Sequence, residues 1–296
     1  APFMAELTAD DLDKVSTDVP IFIVNQSGHI GYVNHKAIEL AGLTDNTPNP
    51  GDGGIYVKDA QGKLTGKLVE PPSYLAFMAK MPAPTEAQLL GAIKNTLNSM
   101  AATGITTVSE MSVGSNFGVD REVAIYRDIF AKNASPVRVR GYLWGQALPV
   151  GYNSIKPNDG DDWLRFIGVK YISDGSTQGL TAALNNPYFY PKDSTFSGDL
   201  NYTDGAIYGL MKPFFDQGWQ ISIHANGDKA IDQTLNNYAK LLDGNKNPQA
   251  RRLRVEHFTV NTEGQVAKAV KMGVIPSFTI GHVNFWGQAF NDHLIG

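Results

Sequence analysis

GWQISIHANGDKAIDQ, residues 218–233, carries apolar side chains up to a single histidine, His224, and then a Gly-Asp pair that opens an amphipathic helix. A short apolar run that turns at once into helical periodicity reads as the strand-to-helix step of a βα unit. Leucine would pack at the strand end without a polar partner, so an imidazole there needs a reason. Whether it has one depends on whether the pattern repeats.

It does. Moving outward, KAIDQTLNNYAKLLDG precedes RLRVEHF, which ends near His257, and EGQVAKAVKMG precedes VIPSFTI and His282. Upstream, REVAIYRDIFAKN precedes VRVRGYLW, and FIGVKYI, residues 166–172, is a further strand. Thr85 and Gln88 form a capping box before LLGAIKNTLNSMAA, Gly104 stops that helix, and ITTVSEM follows as a strand. Alternating helices and strands imply a parallel sheet with helices outside it, its strands apolar along their length and buried on both faces. With PIFIVNQSGH at residues 20–29 the count comes to about seven strands, and no glycine-rich phosphate fingerprint supports an open doubly wound sheet. The expected fold class is therefore α/β, a distorted (β/α)8 barrel in one domain, residues 1–296. A β-hairpin insertion at about 53–70 turns on residues 60–63, and a long aromatic loop covers 177–203.

Composition narrows the function classes. The chain has 296 residues, a formal charge of −4 and no run of basic residues to neutralise phosphates, which argues against nucleic acid. It has no cysteine, hence no disulfides, thiolate metal sites or thiol nucleophile. No stretch reaches the ~20 apolar residues of a membrane span, and no signal peptide is legible, so a soluble, cytoplasmic protein is expected. The chain starts APFMAELTADD without an initiator methionine, the mark of a processed, trimmed or partial chain.

In a barrel, chemistry sits where the strand C-termini converge. The ionisable groups placed there are His29, Glu110, Lys170, Asp174, His224, His257 and His282. His224 and His257, one βα unit apart, should top neighbouring strands ~4.8 Å apart and share a metal ion. Lys170, inside an apolar strand, has three readings: a Schiff-base nucleophile, a carboxylated metal bridge, or a structural ion pair with Asp174. Glu256 should face away from His257 and be structural, His35 should be a surface residue, and His293 is assigned no role. His29 and His282 are candidates for binding a substrate carbonyl. Tyr188, Phe189, Tyr190 and Phe196 suggest an apolar or aromatic substrate portion.

The ordered set SGHIGYVNHKAIELAG, GGIYVKDAQGKLTGKLVE, VKYISDGS, SIHANGDKAI and RVEHF resembles the amidohydrolase superfamily, in particular amidohydrolase family 3, the group of N-substituted formamide deformylases and exoenzyme regulatory proteins. The resemblance implies a metal-dependent hydrolase cleaving a C–N bond of a small amide-like substrate with metal-activated water. Lys170 would be the carboxylated ligand, His224 and His257 the imidazole ligands, and zinc the cation best suited to nitrogen and carbamate oxygen. Two parts of the family pattern are absent: no His-x-His occurs anywhere, and no aspartate-ended last strand precedes the NDHLIG terminus. The terminal β-sandwich is absent too, so the chain is expected to be the central part of such an enzyme, with impaired metal binding and activity, and Asp174 or Glu110 as substitute acid or base. Two other readings stay open: a Schiff-base aldolase or lyase using Lys170, and a noncatalytic degenerate barrel that dimerises through exposed strand edges.

Overall fold

The computed structural model describes residues 6–25, 27–51, 53–82, 85–132, 135–190 and 194–295. Within them the chain forms two sheets, each with its own apolar core.

The smaller sheet is antiparallel, in the order β1-β2-β4-β3, from β1 (Phe22–Val24), β2 (Ile30–Val33), β3 (Ile55–Lys58) and β4 (Leu64–Val69). PIFIVNQSGH is therefore not a barrel strand. Its second half leads back antiparallel to the first, because Gly28 takes φ +76° and donates its N–H to the Asn25 carbonyl at 2.9 Å. The hairpin at 53–70 turns where expected, with the Asp59 carboxylate accepting the N–H groups of Gln61 and Lys63, but its strands extend this sheet rather than interrupting a barrel. Helices α1 (Ala9–Asp13), α2 (His35–Ala41) and α3 (Leu75–Met78) pack here, around Val33, Ile38, Tyr56, Leu68 and Phe77.

The larger sheet holds the predicted βα repeat. The strands β5 (Thr107–Val113), β6 (Arg138–Trp144), β8 (Leu164–Ile172), β9 (Gln220–Ala225), β10 (Arg254–His257) and β11 (Ile275–Phe278) run parallel in the order β11-β10-β9-β8-β6-β5. The two-residue β7 (Asp159–Gly160) adds antiparallel to β8. The parallel strands number six among the described residues, not seven. Helices α4 (Glu86–Ala102), α5 (Val119–Ala131), α6 (Asp204–Asp216), α7 (Asp228–Leu241) and α8 (Glu263–Met272) alternate with the strands. The capping box of Thr85 and Gln88 starts α4 as predicted.

Register shows why the strands look apolar without being so on both faces. Val169, Tyr171, Ile221, Ile223 and Val255 are fully buried in one core with Ile207 and Met211 of α6 and Ile231 and Leu235 of α7. The alternate residues form the opposite face: Lys170 lies beside Ser222, and His224 beside Glu256. Parallel neighbours in register share a face, so a polar row crosses β8, β9 and β10 on the side turned away from the helices.

The run SFTIGH also departs from expectation. β11 ends at Phe278, and α9 (Ile280–Ala289) begins at once, because Val283, Trp286 and Phe290 recur at helical spacing. His282 thus sits in the first turn of a helix. Trp286 and Phe290 stack at 6.3 Å.

Candidate active site

Lys170 on β8, His224 on β9 and His257 on β10 come from three adjacent strands. The imidazole rings of His224 and His257 lie 4.5 Å apart between centroids, at 69° to each other. Strand alternation does not explain this contact. His257 is in register with Ala225, a core residue, and a regular strand would turn it towards the helices. Instead His257 and Phe258 both take positive φ, +72° and +49°, and this break in the strand leaves Phe258 in the core and the imidazole against His224. Left-handed backbone at a non-glycine residue costs on the order of 1 to 3 kcal/mol.

Glu256 is the corollary. Expected to face away, it is instead the register partner of His224, and its Oε1 accepts from Ser222 Oγ at 2.7 Å. Arg254 donates to both its oxygens, at 2.7 and 3.0 Å. Glu256 therefore lies on the polar row with Lys170. The Lys170 ammonium is buried, and no hydrogen bond or ion pair reaches it among the described residues. Burial lowers its pKa to about 8, against the upward pull of Glu256 and Asp174. The ion pair with Asp174, one of the three readings of Lys170, does not form among the described residues.

Asp174 is occupied elsewhere. Fully buried, its Oδ1 accepts the Asn226 N–H at 3.0 Å, and its Oδ2 accepts those of Ala183 and Gly227 at 3.0 and 2.8 Å. Burial pushes the carboxyl up to about 7, while these donors favour the anion, the form that the three N–H groups serve. The residue ties the loop after β8 to the β9–α7 turn.

The protonation of His224 follows from one carbonyl. Gly175 O lies 2.8 Å from His224 Nε2 and 2.8 Å from Asn226 Nδ2, so both nitrogens donate to it. His224 Nδ1 is then bare. Burial, then the neighbouring His257 and Lys170, hold His224 well below the ordinary imidazole range, and burial brings His257 down to about 4. Both rings are neutral at neutral pH. Asn226 Oδ1 accepts from Thr259 Oγ1 at 2.6 Å, which spends the hydroxyl proton, so the contact of His282 Nδ1 with Thr259 at 3.1 Å is donated by the imidazole. Asn226 and Thr259, absent from the sequence reading, thus link two of the candidate histidines. The Asn two places after His224 was the only available signal.

His29 reaches the same place from the antiparallel sheet rather than from a barrel strand end. Its ring lies 5.2 Å from that of His224, and its Nδ1 is 2.8 Å from Glu70 Oε2, with both residues buried. Glu70 was also missed, being the last residue of the LTGKLVE run.

The remaining candidates lie elsewhere. Glu110 lines a cavity of about 160 Å³ with Leu89, Ile93 and Tyr126, between the helices flanking β5, and hydrogen bonds Ser112. Tyr188 is buried with Leu184, Phe290 and Leu294 and is unavailable to a substrate, whereas Phe189, Tyr190 and Phe196 are exposed. On α1 and α2, Asp10, Asp13 and His35 bring ligand atoms within 4.8 Å of one another; all three are at least partly exposed, and His35 is hydrogen bonded to Asp13. No helix among the described residues is long and apolar enough to cross a membrane.

The model of a family described as the amidohydrolase family matches residues 4–295. YtcJ of Bacillus subtilis (strain 168) is 27% identical over 271 residues, covering 90% of this chain and 49% of its own length. The N-substituted formamide deformylase of Arthrobacter pascens is 24% identical over 292 residues, covering 96% and 52%. An uncharacterized metal-dependent hydrolase from Pyrococcus horikoshii OT3 superposes with a TM-score of 0.70 at 21% identity, covering 97% of this chain and 54% of that structure. The chain spans about half the length of the relatives it matches.

Proposed function

Because the chain belongs to the amidohydrolase family, we propose that the protein is a metal-dependent hydrolase of an amide C–N bond, with a divalent cation, zinc by preference, held by Lys170, His224 and His257. The observation that carries this reading is the meeting, on three adjacent strands, of two neutral imidazoles with a buried amine that has no partner among the described residues. Such a group is costly in a purely structural core.

The donor set fits a cation. His224 presents a bare Nδ1, locked by the Gly175 carbonyl on its other nitrogen, which is the outer-shell arrangement that orients a metal-binding histidine. The Nδ1 of His257 meets Thr279 Oγ1 at 2.8 Å, leaving Nε2 for the cation. Lys170 becomes an anionic oxygen ligand if its neutral amine adds carbon dioxide, forming one N–C bond and releasing one proton; an amine near pKa 8 is partly neutral under physiological conditions. A bound cation would supply Lewis acidity, activating a water and polarising the substrate carbonyl. The chain's own contribution is to fix the imidazoles and to exclude solvent around them.

The formamide deformylase among the relatives makes N-substituted formamides the first substrates to try, and exposed Phe189, Tyr190 and Phe196 favour an aromatic N-substituent. The test is metal content per chain after purification with bicarbonate and without chelator. Near-stoichiometric zinc that is lost in His224→Ala is expected. Metal no higher than in the variant would overturn the proposed site.

A further inference from the structure

We propose that the cavity between α4 and α5 is a second binding site, which takes a small organic ammonium ion with an apolar body. The proposal is independent of the hydrolase reading, because the cavity lies on the helix side of β5 and is lined by none of Lys170, His224 and His257.

One residue and one helix create the space. Side chains alternate along a strand, so Glu110 shares a face of β5 with Val108, which packs against the larger apolar core. A leucine at position 110 would extend that core. The chain places a carboxylate there instead, half-buried. Helix α4 leaves room above it: Leu97, Met100 and Ala101 seat its later turns on the core, while Leu89 of its first turn borders the cavity. The result is a space of about 160 Å³ walled by Leu89, Ile93, Phe117, Ile125 and Tyr126, with Glu110 and Ser112 reaching into it from the strand. An apolar cavity of about 150 Å³ accepts a benzene ring, so one ring or a chain of a few carbons is the size that fits.

The polar groups choose the charge of the occupant. Glu110 Oε1 accepts from the N–H and the hydroxyl of Ser112, at 2.9 and 3.0 Å. Its Oε2 meets only the Tyr126 hydroxyl, at 3.4 Å, which is long for an O–H donor. A carboxylate offers about four lone-pair sites, so Oε2 keeps acceptor capacity on the cavity side. No lysine or arginine lines the cavity, and no ion pair reaches Glu110 among the described residues. The second carboxylate on the wall, Glu122, takes the N–H groups of Gly114, Asn116 and Phe117 at 2.6, 2.9 and 2.9 Å, which fixes the β5–α5 loop and adds negative charge. Arg121 lies over the Phe117 ring, 5.2 Å from its centroid, and pairs with neither glutamate. An anion is therefore repelled, and a neutral hydrocarbon leaves Oε2 unanswered. An alkylammonium, charged at neutral pH as a lysine side chain is, donates to Oε2 and lays its apolar body against Leu89 and Ile93.

Calorimetric titration in an amine-free buffer at neutral pH tests the site, with benzylamine and benzyl alcohol as probes of the same ring and different head-group charge. Wild type should bind the amine at least about tenfold more tightly than the alcohol, as one charge-assisted hydrogen bond would give. Glu110→Gln should remove that preference while still binding the alcohol. Ile93→Trp, which fills the cavity from α4, should abolish binding of both probes. His224→Ala should keep the wild-type ratio, because its imidazole lies outside the cavity. Equal affinity of wild type for the two probes, or no heat from benzylamine at about 10 mM, overturns the proposal. So does a preference that survives in Glu110→Gln folded by circular dichroism, or amine binding that disappears in His224→Ala. The wild-type and His224→Ala measurements decide the matter even if a cavity variant does not fold.

Discussion

At the residue scale, the site consists of groups whose protonation is set by burial, and two predictions follow from that. The unpartnered Lys170 ammonium should cost stability, so Lys170→Met, similar in length and apolar, should raise the stability of the metal-free protein by about 1 to 3 kcal/mol while abolishing metal binding. A urea titration with parallel metal analysis checks it; a loss of stability would mean that Lys170 is structural. His257, held near 4 in the folded protein, takes up a proton at about 6.5 when unfolded. The unfolded chain therefore binds more protons between these values, and the stability that His257 leaves intact above pH 6.5 is lost as pH falls towards 4, by about 3 kcal/mol. The raised carboxyl of Asp174 acts in the opposite sense across the whole of that window, so the total curve hides the effect. Subtracting the stability-versus-pH curve of His257→Gln isolates it, since Asp174 is common to both. The variant should lose about 3 kcal/mol less than wild type between pH 6.5 and 4.

At the element scale, the long loop after β8 depends on one carboxylate. Asp174 accepts three backbone N–H groups from Ala183, Asn226 and Gly227, drawn from that loop and from the β9–α7 turn. Asp174→Ala should cost at least about 3 kcal/mol, because three buried donors lose their acceptor together. A chain of this size should then melt roughly 6 to 12 °C lower. Asp174→Asn, which keeps one acceptor oxygen and turns an amide N–H against a backbone N–H, should recover only part of the loss. Gly227 tests the same junction from the other side: a Cβ there would stand 1.9 Å from the Ala183 carbonyl, so Gly227→Ala should displace the loop and weaken metal binding without touching a ligand.

At the scale of the whole molecule, the proposed ligands all come from the parallel sheet, while His29 arrives from the antiparallel one. A cation bound by Lys170, His224 and His257 should stabilise the larger core and leave the smaller one alone. Differential scanning calorimetry with and without zinc should show the metal raising the transition of the larger unit only. If His29 were a ligand as well, both would move together. The sheets have separate apolar clusters, so two transitions are expected in a chain of this length.

How much of this was legible depended on how far apart the interacting residues lie in the chain. The helix starts, the βα order and the presence of imidazoles at the ends of β9 and β10 are local patterns, and amino-acid order alone determined them. Thr85 capping α4 and His224 closing β9 are examples. Lys170 was also legible locally, as an ammonium inside an apolar strand, and the family pattern added only its reading as a carboxylated ligand. Tertiary structure decided the rest. Whether PIFIVNQSGH pairs with a barrel strand or folds back on itself depends on the φ of Gly28, and whether Glu256 or His257 shares a face with His224 depends on register and on two positive φ angles. The partnership of His29 with Glu70 spans 41 residues, and that of His224 with the Gly175 carbonyl spans 49. Periodicity carries information over a few residues, whereas a hydrogen bond across such a span exists only once packing has chosen which loop lies against which strand.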